Sequence, residues 1–256
     1  VEIGKLQRFA TDKIMEEDSH PFRRSSDTGK HVAVVGSGPA GLACAHRLSM
    51  YGHRIDLFEA RHKLGGLNEY GIAAYKTVDN FAEREVEWLL DIGGITPKLG
   101  VELGKDLQLV DLEEDYDAVF LAIGLGGVNE LSLPGEEVSG VLSAVDFISD
   151  LRQADELKDI PIGRNVVVIG GGMTAIDAAV QSKLLGAENV TVVYRRGSDQ
   201  MGASLKEREH ATSAGVRILT NLQPKRLVTE GAGVKEIVFG YAESQNGRLE
   251  MGLEEV

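Results

Sequence analysis

The same sequence device occurs twice in this chain of 256 residues: an apolar run, a glycine-rich turn and a helix of small residues. The first copy reads HVAVVGSGPAGLACAHRL from His31, and the second reads NVVVIGGGMTAIDAAV from Asn165. Each apolar run predicts a parallel strand buried on both faces, and each turn has the glycine spacing of a dinucleotide-binding site. Because the chain is long enough for two ordinary domains, we expect an α/β protein with two Rossmann-like domains and parallel sheets.

The first turn has glycine at all three positions of the dinucleotide-binding fingerprint. Gly36 permits the tight turn, Gly38 lets the backbone approach a pyrophosphate, and Gly41 lets the helix lie close to the strand. The helix begins at Pro39 and Ala40. Its N-terminal end offers unpaired N–H groups and the positive end of the helix dipole to phosphates.

An acidic residue follows the second short strand, where a ribose-binding carboxylate is expected. Glu59 closes the strand 54–58 and lies 23 residues beyond Gly36, close to the ~20 residues that are typical. Strand, turn, helix, strand and acid therefore follow in the order that predicts a dinucleotide site. The alternative is a purely structural glycine turn.

The second turn has alanine in place of the third glycine, and the strand that follows, Val190–Tyr194, lacks a terminal acid. Arg195 and Arg196 stand there instead. Guanidinium groups suit the 2′-phosphate of NADP because they are charged and bind phosphate oxygens in pairs. Two alternatives remain: the arginines are solvated surface residues, or nearby Asp199 supports an NAD mode. The predicted nicotinamide-site residues are Gly170, Gly171, Gly172, Met173, Thr174, Arg195 and Arg196.

The pattern changes towards the C-terminus. Val216–Thr220 predicts a third parallel strand, and alternating apolar residues between Ile237 and Tyr241 predict an antiparallel strand. Asn246-Gly247 predicts a hairpin turn. We therefore expect a small β-meander near the C-terminus.

Composition argues against several classes of function. The formal net charge of −13 argues against a nucleic-acid partner. The single cysteine, Cys44, excludes a CxxC redox pair, a zinc ribbon or an iron–sulfur ligand run within the chain, so disulfide reductase chemistry is disfavoured and no metal site is predicted. No apolar run approaches the ~18–20 residues of a membrane helix, and no secretory signal precedes the fold. We expect a cytoplasmic protein with no membrane partner.

The residues after the first acid carry a resemblance to known flavoproteins. RHKLGGL from Arg61 resembles the E-x(5)-GG-L extension of disulfide-reductase-like and glutamate-synthase-like enzymes, and YDAVFLAIG from Tyr116 resembles a buried strand of the same flavoproteins. With VAVVGSGPAGLA, GGLNEYGI, VVVIGGGMTAIDAA and VTVVYRR, nearly the whole chain from residue 31 resembles the FAD/NAD(P)-binding module of the glutamate synthase small subunit and of dihydropyrimidine dehydrogenase. GGGMTAIDA and GIAAYK resemble the bacterial dihydropyrimidine dehydrogenase flavin subunit most.

This resemblance implies FAD at the first turn, NADP or NAD at the second, and hydride transfer from the nicotinamide to the flavin. Electrons would then pass to iron–sulfur clusters outside this chain, in a partner domain or a large catalytic subunit. The alternatives are the glutamate synthase small subunit and, in another class, a non-catalytic dinucleotide-binding module. No catalytic residue is predicted. The expected FAD-binding residues are Gly36, Gly38, Pro39, Ala40, Gly41, Glu59, Ala60, Arg61, Gly66, Leu67, Val101, Ala122 and Gly124.

The resemblance also suggests how the chain is divided. Residues 1–30 are expected to be a helical segment like the one that follows the iron–sulfur domain in this family. Residues 31–150 are expected to form an incomplete FAD-binding domain, and residues 151–256 a truncated NAD(P)-binding domain. Because the second half has no counterpart of the strand after Tyr116, we expect a fragment of a longer subunit.

Overall fold

The computed structural model describes residues 2–17, 20–128, 130–245 and 248–255, and side chains only as far as residue 242. Contacts divide the chain into two compact units, 1–70 with 75–126 and 71–74 with 127–256. The α/β class and the parallel sheets are confirmed. The domain limits at residues 30 and 150 stay predictions. Among the described residues, no helix combines the length and apolarity needed to span a bilayer.

The first unit is built on a four-stranded parallel sheet in the order β3-β2-β1-β4. Its strands are β1 (His31–Val35), β2 (Arg54–Glu59), β3 (Ile95–Leu99) and β4 (Ala118–Leu121). Its helices are α1 (Ile3–Met15), α2 (Pro39–Met50), α3 (Leu67–Tyr70), α4 (Phe81–Leu90) and α5 (Leu109–Asp115). Because the sheet is parallel, the carboxyl ends of β1, β2 and β4 lie at one edge, where the first glycine turn begins.

The core of the first unit forms where α2 covers the sheet. Leu42 and Ala45 of α2 pack against Val34, Ile55 and Leu57 of the two central strands. This packing explains the small-residue pattern of the helix, because a short side chain such as Ala45 lets the helix approach the sheet closely. The predicted core helix and both strands are therefore present.

The strand predicted over residues 116–124 differs from its expectation. It ends at Leu121, and its side chains are largely exposed, with Phe120 at 40% and Leu121 at 46%. The prediction of a buried strand was wrong because β4 pairs only with β1 among the described residues. An edge strand does not have the second neighbour that would cover it.

The second unit contains two three-stranded sheets. The parallel sheet has the order β5-β6-β7, with β5 (Asn165–Ile169), β6 (Asn189–Tyr194) and β7 (Arg217–Thr220). The antiparallel sheet has the order β10-β9-β8, with β8 (Leu222–Glu230), β9 (Gly233–Gln245) and β10 (Arg248–Glu255). The helices are α6 (Ala144–Gln153), α7 (Met173–Leu184) and α8 (Leu205–Ser213), with 3₁₀ turns at Leu157–Asp159 and Ser198–Gln200.

The second unit contains most of the elements that its sequence predicts. The third parallel strand and the β-meander are confirmed. The hairpin turn at Asn246-Gly247 lies outside the described residues. The first strand, β5, is not buried on both faces as expected, because it pairs only with β6 in the described chain and leaves Val167 43% exposed. Phe239 of the meander packs on Val193 of the parallel sheet and so joins the two sheets.

Candidate functional site

The first glycine turn leaves β1 at the carboxyl edge of the sheet. Its backbone is fixed by a hydrogen bond from Gly36 N–H to Phe58 O of 2.8 Å. A Cβ atom on Gly36, whose φ is +99°, would lie 2.3 Å from Ala122 O, and one on Gly41 would lie 1.8 Å from Gly36 O. Both positions therefore need glycine because the protein itself fills the space.

Gly38 differs from the other two glycines of the turn. A Cβ there would meet only the Cα of Gly66, at an ordinary contact distance of 3.9 Å. The protein around the turn does not require glycine at this position, so the open side of Gly38 is free for a ligand to approach. Gly38 is also the N-cap of α2 and supplies no side chain to the first N–H groups of that helix. This combination fits a pyrophosphate.

The glycine pair after Glu59 packs directly on the turn. A Cβ on Gly66 would lie 2.6 Å from the Cα of Gly38, and Gly65 N–H donates to Ser37 O at 3.1 Å. Leu67 then begins α3 with its side chain 65% exposed. Gly66 is therefore needed for close backbone contact with the turn, while the binding role that the resemblance gives it stays a prediction.

The carboxylate of Glu59 lies against the same turn. Its Oε2 accepts from the Ser37 backbone N–H at 3.0 Å and from the Ser37 hydroxyl at 2.5 Å, and its Oε1 accepts from Arg61 N–H at 2.9 Å. A carboxylate has about four lone-pair sites, so about one remains for a ribose hydroxyl. Sequence reasoning missed Ser37, although its place between two glycines of the fingerprint was a usable signal.

The loop that follows Glu59 is held by aromatic and backbone contacts. The guanidinium carbon of Arg61 lies 4.3 Å from the centroid of the Tyr70 ring. The phenol of Tyr70 accepts from Lys63 N–H at 3.0 Å, and burial raises its pKa above the ordinary value for tyrosine. Val101 N–H donates to Glu59 O at 3.0 Å. The structure thus brings Arg61 and Val101 to the same edge as the turn.

The two remaining positions after β4 differ. Ala122 N–H donates to Val35 O at 2.7 Å, and its own carbonyl lies over Gly36. A Cβ on Gly124 would have no neighbour within 4 Å, and no described contact links it to the turn. The role of Gly124 stays a prediction.

The second turn repeats the first at the carboxyl end of β5. Gly170 N–H donates to Val193 O at 3.0 Å, as Gly36 does to its own neighbouring strand. A Cβ on Gly172 would meet nothing within 4 Å. Helix α7 begins at Met173, which is 57% exposed, and Gly172 caps it without a side chain. The second turn therefore also has an open glycine at a helix N-terminus.

A tyrosine stands where the first unit has its acid. The strand register pairs Ile169 with Val193, so Tyr194 follows in the place that Glu59 has beside Gly36. A Cβ on Gly171 would lie 2.5 Å from the Tyr194 ring, whose hydroxyl donates to Gln200 O at 2.9 Å. The ring therefore covers the middle of the turn. Sequence reasoning noted the missing acid but not this contact.

The loop carrying the two arginines is anchored at several points. Arg196 O accepts from Asn221 N–H at 3.1 Å, and Ala203 N–H donates to Gly171 O at 3.0 Å. The side chains of Arg195 and Arg196 are exposed, so the loop presents two cations beside the second turn. Asp199 lies on the same loop and is exposed as well.

The chain is similar to a known family and to several known proteins. The sequence model of the family described as "Pyridine nucleotide-disulphide oxidoreductase" matches residues 30–250. The chain is 38% identical over 242 residues to the "Glutamate synthase [NADPH] small chain" of Escherichia coli, covering 91% of this chain and 51% of that protein. It is 34% identical over 224 residues to the "NAD-dependent dihydropyrimidine dehydrogenase subunit PreT" of Salmonella typhimurium, covering 88% of this chain and 53% of that protein.

The chain thus spans about half the length of these two relatives. Their two identities are too similar to choose between them. Among solved structures, FprA of Mycobacterium tuberculosis in complex with NADPH matches with a TM-score of 0.73 at 21% identity, covering 89% of this chain and 68% of that one. This likeness concerns the fold.

Proposed function

Because the chain belongs to the pyridine nucleotide-disulphide oxidoreductase family, we propose that it is a flavin oxidoreductase module that binds FAD in its first unit and a nicotinamide dinucleotide in its second. One observation carries the proposal. A Cβ atom added to the second fingerprint glycine of either turn, Gly38 or Gly172, would meet no protein atom closer than 3.9 Å. A ligand lying close to the main chain explains glycine at these two positions, whereas protein packing explains Gly36 and Gly41.

When bound, FAD would accept a hydride from a reduced nicotinamide and release the two electrons one at a time. The part of the protein is binding and orientation. In the first unit, Gly38 and the N-terminal end of α2 hold the pyrophosphate, and Glu59 holds a ribose hydroxyl. In the second unit, Gly172 and the N-terminal end of α7 hold the other pyrophosphate.

We propose NADPH as the coenzyme. Tyr194 replaces the acid that would accept hydrogen bonds from the ribose diol and repel a 2′-phosphate. The next two residues, Arg195 and Arg196, supply two exposed cations. NADH is the alternative. It is favoured by Asp199 on the same loop and by the NAD-dependent relative.

The electron acceptor is proposed from the resemblance. We propose that electrons continue to iron–sulfur clusters of a partner domain or large subunit, as in dihydropyrimidine dehydrogenase, and that the module works in the cytoplasm. The second candidate is the role of a glutamate synthase small subunit, because the chain is also similar to the small chain of that enzyme, at 38% identity. Within the chain, we propose that residues 31–150 serve FAD and residues 151–256 serve the nicotinamide dinucleotide.

The test is to purify the protein, record its visible spectrum and add NADPH or NADH without oxygen. We expect the absorbance of oxidised flavin, and its loss on addition of the reduced coenzyme. Protein that binds no FAD when FAD is added in excess would overturn the proposal. Bound FAD that stays oxidised with both coenzymes would instead support a non-catalytic dinucleotide-binding module.

A further inference from the structure

Ser37 is the one fully buried side chain of the first glycine turn that carries a polar group, with 0% exposure. Its hydroxyl has two partners on different segments. It donates to Glu59 Oε2 at 2.5 Å and accepts from Gly65 N–H at 3.3 Å. One oxygen atom therefore joins the glycine turn after β1, the acid at the end of β2 and the glycine pair before α3.

These contacts determine which carboxylate oxygen stays available. Oε2 of Glu59 already accepts two hydrogen bonds from Ser37, whereas Oε1 accepts one, from Arg61 N–H. Each carboxylate oxygen has about two lone pairs. The free position is therefore on Oε1, and the Ser37 hydroxyl prevents the carboxylate from rotating to offer Oε2 instead.

We propose that Ser37 is a positioning residue of the FAD site, which acts through Glu59 by holding Oε1 ready to accept from a ribose hydroxyl of FAD. This inference depends on the proposed function, because it assumes that the first unit binds FAD. The contribution of Ser37 is to pre-order the carboxylate, so that FAD binding does not have to pay for fixing its rotamer.

The second unit indicates that the turn itself does not need this hydroxyl. There the middle residue is Gly171, and the residue in the place of the acid is Tyr194. The second turn still forms the same strand-to-strand hydrogen bond through Gly170. Serine thus occurs together with the acid, and glycine together with the tyrosine, as expected if the hydroxyl serves the carboxylate.

The test is a double-mutant cycle on FAD affinity in the whole chain. Dissociation constants are measured by titrating FAD into flavin-free wild type, Ser37→Ala, Glu59→Ala and the double variant. We expect Ser37→Ala alone to weaken FAD binding about tenfold, or about 1.4 kcal/mol, and to have no further effect once Glu59→Ala is present. Independent, multiplying effects would overturn the inference, because they would mean that Ser37 does not act through the carboxylate.

Two further variants complete this test: a matched control and a second substitution at Ser37. Ser49→Ala is the matched control, because Ser49 is also 0% exposed and lies at the far end of α2 from the glycine turn, where its hydroxyl donates to Gly93 O. This variant should leave FAD affinity unchanged. Ser37→Gly copies the middle residue of the second turn and should weaken FAD binding as Ser37→Ala does, even if alanine disturbs folding. Wild type that fails to bind FAD would overturn the proposed function as well, whereas full affinity in both Ser37 variants would overturn this inference alone.

Discussion

The two glycine turns share a backbone plan but differ in what fills the space around them. In the first turn a Cβ at Gly41 would lie 1.8 Å from Gly36 O, so glycine is required there. In the second turn Ala175 occupies the equivalent position. Helix α7 therefore lies far enough from its turn to leave room for a methyl group. Whether the third position needs glycine depends on how closely the helix of each unit approaches its turn.

The residues beside the middle of each turn differ more. The first turn pairs the Ser37 hydroxyl with the Glu59 carboxylate, and the second places the Tyr194 ring over Gly171. Only the second fingerprint glycine, Gly38 or Gly172, has room for an added Cβ atom in both units. The feature that the two turns share is therefore the one that a pyrophosphate would need, whereas the residues around the middle of each turn differ.

The largest loss of stability is expected at the third fingerprint position, which is Gly41 in the first unit and Ala175 in the second. Gly41→Ala should destabilise the first unit by about 3 kcal/mol, because overpacking against backbone has no flexible side chain to yield. Ala175→Gly, the reciprocal change, should cost only about 1 kcal/mol, which is the helix penalty of glycine. Thermal unfolding followed by circular dichroism checks both. Similar losses in the two variants would show that the helices approach their turns equally closely.

The next effect tests the covering of the second turn. Gly171→Ala should cost about 2 kcal/mol because its Cβ would lie 2.5 Å from the Tyr194 ring. Tyr194→Ala should remove most of that cost in the double variant, giving a large coupling in denaturant titrations. Gly172→Ala is the control, since nothing lies within 4 Å of its added Cβ. Additive losses at the two positions would contradict the ring placement.

Arg195 and Arg196 follow Tyr194 in the second unit, whereas Ala60 and Arg61 follow Glu59 in the first. If Arg195 and Arg196 bind a 2′-phosphate, replacing both with alanine removes charge-assisted hydrogen bonds of ~1.5–3 kcal/mol each. The KM for NADPH should then rise about tenfold or more, at roughly 1.4 kcal/mol per decade. The KM for NADH should hardly change, because NADH has no such phosphate. Equal small effects on both coenzymes would assign the arginines to the solvated surface and favour NAD.

The smallest expected effect concerns the helices that follow the turns. Burial, with smaller contributions from the charges of His20 and Arg47, lowers the pKa of His46 on α2. The folded state then resists the proton that the unfolded chain takes up below about pH 6.5. Stability is therefore complete above that pH and declines as pH falls below it. The equivalent position on α7 is Val180, which cannot titrate.

His46→Val should accordingly reduce the loss of melting temperature between about pH 7.5 and pH 5.5, a range that avoids most carboxyl titration. The comparison is between the slopes of melting temperature against pH, so that a packing effect of the substitution does not enter. An unchanged slope would mean that another group causes the acid sensitivity of the first unit.

Sequence reasoning predicted the repeated parts of the molecule well. The strand–turn–helix units follow from glycine spacing and apolar runs, and the capping box that Ser204 and Glu207 form at the start of α8 follows from the same kind of local pattern. These features are local, so a short stretch of sequence contains their physical cause. The expected close packing at Gly41 is present as well, whereas the pyrophosphate role of Gly38 stays a prediction.

The features that sequence reasoning missed depend on contacts between distant segments. The exposure of β4 and β5 depends on which strands lack a second neighbour, which hydrophobicity alone does not reveal. The hydroxyl link of Ser37 and the ring of Tyr194 join residues more than twenty positions apart. Their residue types are compatible with many surroundings, so only the fold assigns their contacts.

If the first turn binds FAD and the second binds a nicotinamide dinucleotide, the same glycine substitution in the two turns should have different effects. FAD content and anaerobic flavin reduction by NADPH and NADH are compared in Gly38→Val and Gly172→Val, with circular dichroism to verify folding. We predict that Gly38→Val folds without FAD, whereas Gly172→Val keeps FAD but is no longer reduced by either coenzyme. Folded Gly38→Val with a full complement of FAD, or Gly172→Val reduced as fast as wild type, would contradict the account.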